Sequence, residues 1–259
     1  GVSGAALATI LSQALAAAWV MLFLTGKKTH LKIRIKQMRL QSSIILPCLA
    51  LGTATFIMQA SESVISVCFN SSLLRYGGDI AVGTMTILTS VMQFALLPLQ
   101  GLGQGAQPII SYNYGARNAD RVKKAFGLLL RSSLVYSTLL WLALLLFPGV
   151  FASIFTSDAS LIAFATPAIR VYFAVLVLFG AQIACQMTFT ALDRAKESIL
   201  VAVTRKFIIL LPLIYLMPHL FSANPTMAVY MAEPFADAIA VTFTVLLFAR
   251  QFKKALQKI

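Results

Sequence analysis

Ile80-Ala81-Val82-Gly83-Thr84-Met85-Thr86-Ile87-Leu88-Thr89-Ser90-Val91-Met92-Gln93-Phe94-Ala95-Leu96-Leu97 opens a stretch with no charged residue. It continues through Pro98-Leu99-Gln100-Gly101-Leu102-Gly103-Gln104-Gly105-Ala106-Gln107-Pro108 to Tyr112. Apolar runs of about 18 or more residues are long enough to cross a bilayer. Such runs recur along the whole chain, which is 59% hydrophobic, has mean hydropathy +0.85 and carries only 11% charged residues. Soluble domains carry about 25%. The chain therefore reads as an all-α polytopic membrane protein.

Seven membrane-spanning helices are expected, over about 4–25, 42–68, 80–112, 122–147, 160–191, 198–218 and 226–250. The third and fifth exceed what a bilayer needs, so they should tilt, bend or project. Turn residues mark the breaks: Tyr76-Gly77-Gly78-Asp79, Tyr114-Gly115-Ala116-Arg117-Asn118, Thr156-Ser157-Asp158 and Ser222-Ala223-Asn224-Pro225. Inside the third span, alternate glycines between two prolines make a poor straight helix by propensity. Pro98, Gly101, Gly103, Gly105, Pro108, Asn113 and Gly115 thus read as a helix-break motif. The GxGxG run has no preceding strand, so it is not a dinucleotide fingerprint.

The net charge of +13 does not point to nucleic acid, because the basic residues fall in four clusters between apolar runs. Counting Arg194, Lys196, Arg205 and Lys206 as one loop, 19 of the 21 Lys and Arg lie on one side. By the positive-inside rule that side is cytoplasmic. The N-terminus is then outside and the C-terminus inside a cell membrane. Leu31 to Leu40 alternates basic and apolar residues, which suits either a charged linker or a segment on the anionic inner leaflet.

Glu62, Arg170, Glu233 and Asp237 stand out as ionisable residues within the spans. A charge at the bilayer centre costs roughly 3 kcal/mol or more, so such residues face protein or a wet cavity. Gln59, Glu62 and Ser66 share one helical face by their spacing, and Glu233 and Asp237 stack four residues apart. Mutual repulsion between those two suits a proton carrier or a cation ligand. Pro234 should kink the helix beside them. Arg170, Tyr172, Gln182, Gln186 and Tyr230 are candidate cavity or substrate-lining residues. Arg170 has a second reading, as the buried partner that neutralises one acid. Cys48, Cys68 and Cys185 lack metal-ligand spacing and read as packing residues. No positioned nucleophile or Walker loop is visible, so neither an enzyme nor direct ATP drive is expected.

The run Gly101 to Ala116 followed by Arg117, with its Asn113-Tyr114-Gly115-Ala116, resembles the motif ending the eighth helix of the multidrug and toxic compound extrusion (MATE) family. Gly1-Val2-Ser3-Gly4-Ala5-Ala6-Leu7-Ala8-Thr9 looks like the entry to the sixth helix. Glu233-Pro234-Phe235-Ala236-Asp237 resembles the twelfth helix of the MepA-like branch. The resemblance implies helices six to twelve of a twelve-helix antiporter built as two lobes. Residues 1–25 would be the last helix of the N-terminal lobe, 26–41 a cytoplasmic linker and 42–259 the C-terminal lobe. The opening on Gly1 rather than Met agrees with a piece of a longer protein, whose missing N-terminal lobe is then its partner.

The family implies export of bulky, often cationic compounds in exchange for H+ or Na+, with no cofactor and with membrane lipid as the other partner. Glu62 matches the family's acidic residue on the seventh helix, and Glu233 and Asp237 would join it as coupling residues. The acid that many members carry on the tenth helix is absent here, which puts their sodium site in doubt. Two other functions stand as alternatives. A lipid-linked oligosaccharide flippase of the same superfamily would favour a cavity rich in Arg and Lys. A seven-helix receptor has the right span number but lacks a span-seven lysine for a retinal Schiff base and an external disulfide pair.

Overall fold

The computed structural model describes residues 2–26, 42–192, 200–201 and 203–257. The predicted surface segment from Leu31 to Leu40 lies outside them, as do Arg194 and Lys196. The chain divides into two units, Gly1–Met58 and Gln59–Ile259. The first holds helix α1 (Val2–Thr25) and the start of α2 (Ser42–Gly115). Apolar side chains of α1, Leu15 and Trp19 among them, stand exposed. The second unit holds the rest of α2, then α3 (Ala119–Leu146), the short α4 (Pro148–Ser153) and α5 (Ala159–Tyr172). A 3-10 turn at Leu176–Leu178 leads into α6 (Phe179–Ala191). A π-helical stretch, Thr204–Leu210, runs into α7 (Leu211–Leu220), and α8 (Pro225–Leu256) closes the chain.

Among the described residues, Ala6–Thr25, Ala60–Gly115, Ala119–Leu146 and Pro225–Leu256 are each long and apolar enough to cross a bilayer. Ala159–Tyr172 and Leu176–Ala191 together make a fifth, bent by 50°. The stretch Ala60–Gly115 contains the expected break. Gly78 is non-helical there (φ 65°, ψ −161°), a left-handed backbone that glycine adopts without a steric penalty. Its neighbour Gly77 is needed for another reason. A Cβ there would lie 2.6 Å from both the Ala81 Cβ and the Thr226 Cγ2.

The kink is tied to the start of α8. Thr226 Oγ1 donates to the Tyr76 carbonyl at 2.9 Å, and the Tyr230 hydroxyl donates to the Ala81 carbonyl at 2.8 Å. Tyr230 is fully buried in doing so. This corrects the expectation that it lines a cavity: its hydroxyl is committed to the α2 backbone and its ring to the core. Around it lies one large core cluster that includes Phe69, Leu73, Leu88, Phe173 and Ile214.

The glycine-rich segment behaves otherwise than its propensity suggests. Helix α2 continues through Pro98, Gly101, Gly103, Gly105 and Pro108 to Gly115, with Gly78 as its one non-helical residue. The motif is therefore not a helix break. In apolar surroundings no water competes for the backbone bonds, so the glycine penalty measured in water loses much of its force. Gly103 instead permits close packing, since a Cβ there would meet the Met187 Cγ at 2.5 Å. Gly101 and Gly105 leave open space beside them and line a groove of about 680 Å³ with Leu128, Ser132 and Tyr136. Asn113 ends the motif by donating its side-chain amide to the Ile109 carbonyl at 2.8 Å.

The fifth span bends as its length suggests, and side chains of α3 take up the carbonyls at the bend. Trp141 Nε1 donates to Ala174 at 2.9 Å, and Ser137 Oγ donates to Val177 at 3.0 Å. Gly180 makes that approach possible, because a Cβ there would sit 2.6 Å from the Ser133 carbonyl and the Ser137 Oγ. Helices α3, α5 and α8 begin at side-chain caps: Asn118 for Arg121 N, Asp158 for Ser160 N and Leu161 N, and Asn224 for Met227 N.

The sixth predicted span is not a plain helix. Over Thr204–Leu210 it widens to π geometry, and the Leu211 N–H bonds back to the Lys206 carbonyl, five residues earlier. Pro212, next in the chain, has no N–H, and its ring crowds the carbonyl four residues before it. Widening the turn just upstream relieves both problems. Such π-turns occur often at functional sites.

Candidate functional site

The π-turn places two basic residues inside the protein. Arg205 and Lys206 therefore do not belong to the cytoplasmic loop that their place in the sequence suggests. Both side chains are largely buried, Arg205 against acids in the core and Lys206 against an acid at its open edge. Arg205 Nε donates to Asp237 Oδ1 at 2.6 Å, and Arg205 Nη2 donates to Glu233 Oε1 at 2.7 Å. Lys206 Nζ donates to Glu62 Oε1. Adjacent residues on a helical turn point in different directions, so they reach different neighbours. Here the arginine secures α8 and the lysine secures α2.

Burial differs sharply across the cluster. The side chains of Asp237 and Glu233 are 1% and 9% exposed, and that of Arg205 is 17% exposed. Lys206 is 11% exposed, yet its partner Glu62 is 59% exposed. The cluster thus has a closed end at α8 and an open end at Glu62. Glu233 feels the charges of Asp237, Arg205, Glu62 and Lys206, so the five groups form one electrostatic unit. With all ionised, three carboxylates face two cations and one net negative charge remains.

The stacked acids on α8 do not simply repel, because the guanidinium spans both. Its planar fork carries several fixed N–H donors, which suits bonding to two carboxylates at once. The guanidinium carbon also lies 5.5 Å from the Phe179 ring centroid, within range of the ring's negative face. Tyr172 is buried and near enough to feel the charges of Glu233, Asp237 and Arg205. Helix α8 continues unbroken through Pro234.

Other expected site residues stand apart from this cluster. Arg170 does not neutralise any of the acids. It is exposed, and its Nε donates to the Leu145 carbonyl at 3.2 Å. Ser66 is exposed on the same face of α2 as Glu62. Gln182 is buried, and its Oε1 has no hydrogen-bond partner. Gln186 is half-buried. The side chain of Gln59 lies outside the described residues. Cys68 is half-buried and Cys185 buried, both as free thiols.

Comparison with known proteins agrees with this architecture. The MatE family model matches residues 54–216. Multidrug export protein MepA of Staphylococcus haemolyticus is 24% identical over 220 residues, covering 85% of this chain and 48% of its own. The chain spans about half the length of the curated relatives it matches. A solved multidrug resistance MATE family transporter of the MOP superfamily, in an outward-facing conformation, superposes with TM-score 0.84. It is 21% identical and is matched over 100% of this chain and 58% of its own. The solved MATE multidrug transporter DinF-BH gives TM-score 0.79 at 32% identity, over 96% of this chain and 55% of its own.

Proposed function

The chain belongs to the MatE family, and from that premise we propose that it is the C-terminal part of a secondary multidrug antiporter. Residues 1–25 contribute the last helix of the preceding lobe, 26–41 a cytoplasmic linker and 42–259 the C-terminal lobe. The protein lies in the cell membrane with its C-terminus inside. The basic clusters that remain after Arg205 and Lys206 are withdrawn still favour that orientation.

One observation carries the reading. Acids from two helices, Glu62 on α2 and Glu233 with Asp237 on α8, meet Lys206 and Arg205 in one cluster whose carboxylates outnumber its cations by one. With Lys206 paired to Glu62, the acid in excess is on α8; a proton or a sodium ion entering past Glu62 completes the balance, and a cationic drug competes for the same charge. Binding one cation or the other then favours different orientations of the lobes, which is what exchange requires. Glu62 is the coupling residue most open to exchange, and Glu233 and Asp237 set the field behind it.

The test is dye efflux from vesicles carrying the transporter at the full length in which its host makes it. Proton and sodium gradients are imposed separately, with Glu62→Gln and Asp237→Asn beside wild type. Efflux of a fluorescent cationic dye that follows one gradient and is lost in Glu62→Gln is the expected result. Unchanged efflux in that variant would remove Glu62 from the mechanism.

A second reading, export of an anionic lipid-linked oligosaccharide, gains from the two cations in the cluster. Arg205 and Lys206 make the interior less acidic than three lone carboxylates would. Vesicles that flip such a lipid but fail to move any cationic dye decide for it.

A further inference from the structure

We infer that Lys206 is a tethered cation which holds, at Glu62, the place that a free alkali cation would otherwise take, so that this site is closed to sodium. The inference rests on the reading of the cluster as a coupling site and narrows the choice of ion there.

The geometry divides the two cations by role. Arg205 is locked: it donates to Asp237 and Glu233 at 2.6 and 2.7 Å, and Phe179 covers its guanidinium. A guanidinium stays protonated in proteins, so it does not vacate the α8 acids by losing charge. A sodium ion there would have to take carboxylate oxygens that already accept from arginine. Lys206 differs in kind. Its ammonium is a compact point charge on a flexible stem. The stem is buried, but the carboxylate it reaches is more than half exposed. Of the five groups, only this pair combines a cation on a flexible stem with an acid open to exchange.

The charge count sets what can enter. Lys206 already balances Glu62, and the one carboxylate in excess is on α8, so the charge balance calls for no further cation at Glu62. A proton adds to Glu62 without needing a coordination shell. A cationic substrate can pair with the exposed face of Glu62 while lysine shifts aside. Sodium needs several oxygens at once in place of its water. At this site the nearest carboxylates already serve Arg205 and Lys206.

The experiment reads sodium binding directly, apart from transport. The full-length transporter is purified in detergent, and its melting temperature is followed in sodium chloride against choline chloride at equal ionic strength. The quantity of interest is the sodium-specific rise that disappears when Glu62→Gln is added. For wild type it should be zero. Lys206→Met should open the site and give a rise of about 2 °C or more at saturating sodium. That rise should vanish in Lys206→Met combined with Glu62→Gln, and Lys206→Arg should behave like wild type. A wild-type rise lost in Glu62→Gln overturns the inference. So does a folded Lys206→Met that gains nothing from sodium. If Lys206→Met cannot be purified, the comparison of wild type with Glu62→Gln decides alone. Failure of dye efflux would count against the proposed antiport and leave these melting curves unaffected.

Discussion

Replacing Arg205 by methionine should be among the most damaging single changes in the chain. The substitution keeps much of the side-chain volume and removes the charge. It strands Glu233 and Asp237, four residues apart on one face of α8, with side chains 9% and 1% exposed. Both lose a charge-assisted bond of 2.6–2.7 Å. Lys206 cannot serve as a substitute while it is engaged at Glu62. Breaking a buried pair by removing one partner costs about 3–5 kcal/mol, because an uncompensated charge is left behind. At roughly 2–4 °C per kcal/mol, the apparent melting temperature should fall by about 10 °C. The triple variant Arg205→Met, Glu233→Gln, Asp237→Asn removes the stranded charges as well. Neutralising a whole buried ion network is often close to neutral for stability. The triple variant should therefore recover most of the loss and melt above the single variant, while failing to transport. The assay is thermal unfolding in one detergent for wild type, single and triple variants. A single variant within about 1 °C of wild type, or a triple variant that melts below the single one, refutes the reasoning.

Three further outcomes follow from local geometry. Gly180→Ala should lower the melting temperature, because its Cβ meets the Ser133 carbonyl at 2.6 Å, whereas Gly101→Ala, with open space around it, should leave it nearly unchanged. Trp141→Phe should cost about 1 kcal/mol by freeing the Ala174 carbonyl at the bend, and faster amide exchange around residues 174–178 would report it. Asp158 is held below its usual carboxylate pKa by hydrogen bonds from Ser160 and Leu161. Its contribution to stability is therefore present above the unfolded-state pKa and lost as pH falls through the lower folded value. Acid titration of Asp158→Asn against wild type should show the loss only in wild type.

The acids of the cluster were legible in the sequence and their partners were not. Glu62, Glu233 and Asp237 each lie deep within an apolar run, where a charge has no bland explanation. Arg205 and Lys206 follow Arg194 and Lys196 by nine to twelve residues, so they look like the tail of a cytoplasmic cluster. The signal that separates them is Pro212. A proline seven residues after Arg205 within an apolar run marks a local disturbance of the helix, and two adjacent cations beside it call for acids elsewhere. Arg170 drew attention for the opposite reason. It lies in an apolar run near the depth of the acids, but depth says nothing about which way a side chain faces. Its carbonyl partner on Leu145 places it on the exposed side of α5.

The fold itself differs from the sequence reading where backbone hydrogen bonds, rather than intrinsic preference, decide. Alternate glycines between prolines suggest a break when judged on scales measured in water. Yet α2 stays helical through them and bends at Gly78. Inside an apolar phase an open backbone bond has no solvent to fall back on. A helix therefore keeps its bonds wherever nothing else can replace them, and departs from them where a side chain can. Among the described residues, the kink in α2 and the bend after α5 each have such a neighbour. Thr226 and Tyr230 serve the Gly77–Gly78 kink through the Tyr76 and Ala81 carbonyls. Trp141 and Ser137 serve the bend after α5 through Ala174 and Val177. The π-turn before Pro212 keeps its bond by reaching back one residue further. Where the chain bends thus depends on residues far away in sequence, up to 150 positions for Thr226 and Tyr76. No local window contains that information. The same logic predicts the effect of removing such a neighbour. Thr226→Val should loosen the α2 kink without altering the glycines. Amide exchange should then rise around residues 76–82 and stay low across 98–108. Unchanged protection around residues 76–82 would mean that the kink is set by Gly78 alone.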